Sequence, residues 1–125
     1  MVVRIALMIV RIGVLIELVL GILFWTGNAE SLQIVHMVLG ILVVLSLWTI
    51  GIVQGLQGGS FGLALATFVV GFLLALVGLF QKGWLIGNNH WVIQVIHLIL
   101  GLSAITLAEI IGGRYRKMIA SKAAA

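Results

Sequence analysis

The sequence predicts an all-α integral membrane protein, a four-transmembrane-helix bundle built from two parallel helical-hairpin repeats. Three observations carry the prediction. The 125 residues are 63% apolar and hold only seven basic and three acidic side chains, whereas a soluble domain is roughly half apolar. The apolar residues gather in four runs, Ile5 to Thr26, Leu32 to Val53, Phe61 to Phe80 and Trp91 to Ile111. Each run has about the 20 residues that a helix needs to cross roughly 30 Å of hydrocarbon. Finally, "QIVHMVLGI" at 33–41 returns as "QVIHLILGL" at 94–102.

The first run follows Arg4 and invites a signal-peptide reading, but Arg11 and Glu17 interrupt it, and secretory cores seldom carry such charges. It is therefore read as a helix. The second run begins after the polar loop "TGNAES" and stops at "QGLQGGS"; the third ends at "QKGWLIGNN"; the fourth gives way to a basic tail. Transmembrane β-strands are shorter and alternate polar with apolar residues, which these runs do not. One transmembrane domain, residues 1–125, accounts for the whole chain. The absence of cysteine removes disulfides, iron–sulfur clusters and thiolate chemistry.

Basic residues set the expected orientation. Arg4, Arg11, Arg114, Arg116, Lys117 and Lys122 lie toward the ends, and only Lys82 lies in the third loop. Both termini are thus expected in the cytoplasm, in the manner of a bacterial inner-membrane protein. The same placement argues against a nucleic-acid partner despite a pI near 10.4. Trp25, Trp84 and Trp91 mark the opposite boundary as an aromatic belt, and Trp48 lies deep in the second helix.

A shift of 61 positions aligns Gln33, His36, Leu39 and Gly40 with Gln94, His97, Leu100 and Gly101, and the match continues at Asn28 with Asn89 and Gly51 with Gly112. A weaker echo links "LVLGILF" at 18–24 with "LALVGLF" at 74–80. The units are 1–56 and 61–113. Two crossings per unit restore the starting side, so the repeats are parallel. Helices two and four then run the same way, and His36 and His97 fall at one depth, roughly 8 to 10 Å below the outer boundary.

An intramembrane histidine marks a site by default. Two imidazoles are too few for a structural zinc site, but they suffice as the axial ligands of a haem. Gly40 and Gly101, each four residues past its histidine, share its helix face and leave room for a flat ring; helix packing is the alternative. Gly21 and Gly78 lie at nearly the same depth, where they clear the edges of a ring or let helices pack. Gln33, Gln94, Lys82 and His90 stand where propionates would emerge, with Ser31 and Asn88 or Asn89 as candidate N-caps.

In topology and in the paired motifs "QIVHMVLGI" and "QVIHLILGL", the chain resembles the small four-helix b-type cytochromes, the group that includes cytochrome b561-like proteins and haem-binding membrane-anchor subunits. The resemblance implies bis-histidine haem b inside the bundle. A second histidine pair is absent, so one haem per chain is expected, with metal ligands His36 and His97.

The function expected on these grounds is electron transfer between quinol or a partner subunit and another redox carrier, with quinone as a possible second cofactor. A stand-alone enzyme is not required; a quinol-linked oxidoreductase is the enzymatic version. The alternatives are a non-catalytic membrane subunit, in which the histidines join helices, and a small transporter. A homodimer or a place in a larger membrane complex would shield the haem edge from lipid. Arg11 and Glu109 are placed to pair, although Arg11 can equally snorkel. Glu17 sits near the midplane, where an unpaired carboxylate is expensive. It relays a proton, touches a quinone, bonds a partner or is a neutral, satisfied acid.

Overall fold

The computed structural model describes residues 1–124. Four helices account for nearly all of them: α1 (Val2–Trp25), α2 (Gln33–Leu56), α3 (Phe61–Phe80) and α4 (His90–Ala124), with short 3-10 turns at Glu30–Leu32 and Gln81–Gly83. All four are long and apolar enough to cross a membrane. Each helix touches its neighbours in the order α1–α2–α3–α4–α1, and α2 also meets α4 across the diagonal.

The first three helices keep the expected bounds to within about three residues. The fourth does not. It was expected to stop at Ile111 and instead continues to Ala124, because "RYRKMIASKAA" contains neither proline nor glycine and is rich in strong helix formers. At 1.5 Å per residue α4 is about 50 Å long, roughly 20 Å more than a hydrocarbon core requires. The loss of hydropathy ended the apolar run without ending the helix.

Capping also differs from expectation. Ser31 lies within a 3-10 turn, and Leu32 precedes α2 without a side-chain cap. Asn89 precedes α4 and accepts the Val92 N–H through its backbone carbonyl. The side chain that does cap a helix is Ser60, whose Oγ accepts the Leu63 N–H at the start of α3.

The core is densest in the half of the bundle that carries the termini. Val10, Leu47, Ile50, Ala104, Ala108 and Ile111 are fully buried there. In a bilayer, lipid would be as apolar as these side chains, so contact between them, and not their removal from water, would hold the helices together. Close approach depends on small residues: a Cβ on Gly51 would fall on Thr67 Oγ1, and one on Gly71 would fall on the Trp48 indole. Trp48 also stacks on Phe68, with ring centroids 5.4 Å apart. Arg11 pairs with Glu109 through one guanidinium edge, Nε donating to Oε1 and Nη2 to Oε2, the latter at 2.8 Å, which ties α1 to α4.

Candidate functional site

Toward the two hairpin connections the inward stripes change character. On α1 the stripe is Glu17, Gly21 and Phe24; on α2 it is Gln33, His36 and Gly40; on α4 it is Gln94, His97 and Gly101. Offsets of three, four and seven place each set on one helix face. All these residues except the glycines are half-buried side chains with polar or aromatic ends.

His36 and His97 come together across the α2–α4 diagonal, with ring centroids 6.1 Å apart and planes tilted by 57°. Glu17 approaches His36 from α1, Oε2 lying 2.6 Å from Nδ1. The alignment is off the ideal hydrogen-bond direction, so the contact is a close carboxylate–imidazole pair. Phe24 meets the same ring edge-on, at 5.3 Å between centroids and 84° between planes. Glu17 and Phe24, seven residues apart on α1, thus hold His36 from two sides. On the other side of the site a Cβ on Gly78 would lie 3.1 Å from His97 Cε1. Gly78 on α3 is the slot that admits the His97 ring.

The remaining glycines border space. A Cβ on Gly21 or Gly101 would meet nothing within 4 Å, and one on Gly40 would meet only Glu17 Oε2, at 3.8 Å. Glu17 Oε1, His36 Nδ1 and His97 Nδ1 are buried without hydrogen-bond partners. A buried polar atom left unpaired costs about 1 to 3 kcal/mol, and three in one small region call for an explanation.

The polar residues at the rim form smaller sets. Lys82 Nζ donates to Gln33 Oε1 at 2.6 Å, which links the α3–α4 connection to the start of α2. His90 Nδ1 lies 3.1 Å from the Trp84 carbonyl oxygen, so this histidine is engaged by its own loop. Gln94 is half-buried one turn above His97. Trp25, Trp84 and Trp91 are exposed at the same end.

Two imidazoles bound to one metal from opposite sides, with bonds of about 2.0–2.1 Å, have ring centres roughly 6 Å apart. The spacing of His36 and His97 meets that requirement. A ligand histidine commonly presents its other nitrogen to a carboxylate, which fixes tautomer and orientation, and Glu17 stands at Nδ1 of His36. Among the described residues no three His, Cys, Asp or Glu side chains form a group able to hold a metal ion unaided. A cofactor that brings its own equatorial donors suits this pair better than a bare ion does.

Sequence reasoning did not pair Glu17 with His36. The usable signal was the rule that an intramembrane acid seeks a partner, applied within the first hairpin, where the two residues differ in depth by about one helical turn. Comparisons with protein families, with characterised proteins and with solved structures find no match for this chain.

Proposed function

We propose that the chain is a membrane-embedded electron-transfer protein that holds one haem b between His36 and His97, as the resemblance to small b-type cytochromes implies. The observation that carries the reading is the 6.1 Å separation of the two rings, with Glu17 seated behind one of them. When bound, the haem supplies one-electron iron chemistry and the protein supplies ligation, orientation and field. His36 and His97 would hold the iron of such a group. Glu17 orients the His36 ring, and Gly78 sets the position of the His97 ring. Gly40, Gly101 and Gly21 leave the backbone open to a flat group, while Lys82, with Gln33, supplies donors toward the nearer aqueous face, where propionates would be best solvated; His90 Nδ1 is taken by the Trp84 carbonyl.

In this reading the bundle spans a bacterial inner membrane with both termini in the cytoplasm, and the hairpins 1–56 and 61–113 are parallel repeats. Electrons pass between quinol, or a partner subunit, and another carrier. A dimer or larger complex covers the cofactor edge.

A reduced-minus-oxidised absorbance spectrum of the purified chain, expressed with haem precursor, tests the proposal. A sharp α-band is expected, lost in His36→Ala and in His97→Ala and kept in His90→Ala. A colourless wild-type chain, or pigment kept in both ligand variants, would overturn it. One observation favours a second reading, a purely structural polar core: the Glu17–His36 contact joins α1 to α2 without any metal. That reading expects no pigment and a less stable bundle in His36→Ala.

A further inference from the structure

At the opposite end of the bundle from the histidines, the extension of α4 passes over the connection between α2 and α3 and borders a half-open cavity of about 260 Å³. Gln54, Gly58, Ser60, Arg114, Tyr115 and Met118 line it. The connection has a fixed shape. The Gly58 N–H bonds the Gly55 carbonyl and the Gly59 N–H bonds the Gln54 carbonyl, with Gly58 at φ +88°, which together make a Schellman end to α2. Lys122 Nζ donates to the Gln57 carbonyl at 3.0 Å and holds α4 over the loop.

Two features of the lining are unmatched. Gln54 is only 2% exposed; its Nε2 donates to the Ser60 carbonyl at 3.3 Å, but its Oε1 is buried with no donor to meet it. Arg114 forms no ion pair among the described residues, and the one acid in this half, Glu109, is engaged by Arg11. The cavity therefore offers a cation and an acceptor that wants an O–H or N–H. At about 30 Å³ per water it holds the equivalent of roughly eight or nine waters, the size of a small polar headgroup and too small for a nucleotide.

We propose that this cavity binds a phosphoglycerol group, with Arg114 meeting the phosphate and Gln54 Oε1, which is covered until its side chain turns, accepting a hydrogen bond from a glycerol hydroxyl. Guanidinium and phosphate form charge-assisted, bidentate contacts, and Lys122 adds positive potential beside them. The start of α3, a further source of positive potential, adjoins the site at Ser60. The group can come from phosphatidylglycerol in the bilayer leaflet at this end or from free glycerol 3-phosphate. The proposal does not depend on the haem reading.

Binding is measured on the purified full chain in detergent by native mass spectrometry and by thermal shift, with phosphatidylglycerol, phosphatidic acid, phosphatidylcholine and glycerol 3-phosphate as probes. Phosphatidylglycerol is expected to bind roughly fivefold or more above phosphatidylcholine. Arg114→Gln removes that preference, and Arg116→Gln, a neighbouring cation outside the lining, keeps it. Gln54→Met keeps the preference over phosphatidylcholine and loses the preference over phosphatidic acid, which lacks the hydroxyls; should this variant not fold, the arginine pair decides alone. Competition by glycerol 3-phosphate assigns the site to the free phosphoester, and its failure to compete assigns the site to the lipid. Equal binding of phosphatidylglycerol and phosphatidylcholine, or equal losses in the two arginine variants, would overturn the proposal.

Discussion

Between the termini and mid-bundle the inward positions belong to Val10, Leu47, Ile50, Ala104, Ala108 and Ile111, all wholly buried. Nearer the hairpin connections the corresponding positions belong to Glu17, His36 and His97, and Gly21 and Gly101 beside them face open space. The same four helices thus make a close-packed half and a polar, loosely filled half. The difference shows where stability can be concentrated in a bundle whose apolar side chains lipid would compete for. Each half keeps unpartnered polar atoms, Trp48 Nε1 and Gln54 Oε1 in the first and Glu17 Oε1, His36 Nδ1 and His97 Nδ1 in the second, so what separates the halves is how closely their apolar side chains pack.

The largest effect should follow from opening the dense half. Leu47→Ala removes a fully buried side chain and is expected to destabilise the bundle by about 2 to 4 kcal/mol, read from denaturant unfolding in micelles. A loss below 0.5 kcal/mol would mean that the two halves do not differ as described. Crowding the same half should have a slightly smaller effect. Gly51→Ala sets a methyl group against Thr67 and should destabilise by about 1 to 3 kcal/mol. Thr67→Ala in the same chain should recover much of that loss, because the threonine hydroxyl bonds only the Ala64 carbonyl of its own helix.

Much of this contrast is written in the sequence. Four apolar runs place the helices, and the repeated His and Gly offset singles out His36 and His97. The end of α4 is not legible from hydropathy, since a helix that leaves the apolar phase keeps its backbone bonds while its side chains turn polar. Nor is the role of Glu17, because the rotation of α1 about its axis depends on how Leu7, Val10 and Val14 seat against the other helices. Of the four glycines near the histidines, Gly78 alone is pressed by an imidazole. Equal spacing in the sequence gives no sign of that difference, which arises from the helix that each glycine faces.

A third effect tests whether the polar half is tuned for chemistry. If the chain carries haem as proposed, Glu17→Gln replaces a carboxylate at His36 Nδ1 with a neutral amide. Loss of that negative charge would favour ferric iron less, so the midpoint potential should rise. A tenfold change in relative stability corresponds to 59 mV for one electron, so a rise of roughly 60 mV is expected. An unchanged potential in spectroelectrochemical titration would make Glu17 a structural acid only.

The smallest expected effect on stability is also the most discriminating. A Cβ at Gly101 meets nothing within 4 Å, so Gly101→Ala adds helix propensity without a clash and should leave stability unchanged or raise it by up to about 1 kcal/mol. This is the opposite sign from Gly51→Ala, although both glycines lie inside helices. Gly101→Leu sharpens the contrast. If the open space is merely lipid-filled, the longer side chain is tolerated and pigment is retained. If the space belongs to a planar cofactor one turn from His97, the apoprotein unfolds at an unchanged denaturant concentration while haem content falls severalfold. Stability and occupancy then separate in a single variant, as they should where a helix face is left bare for a ligand and not for a neighbouring helix.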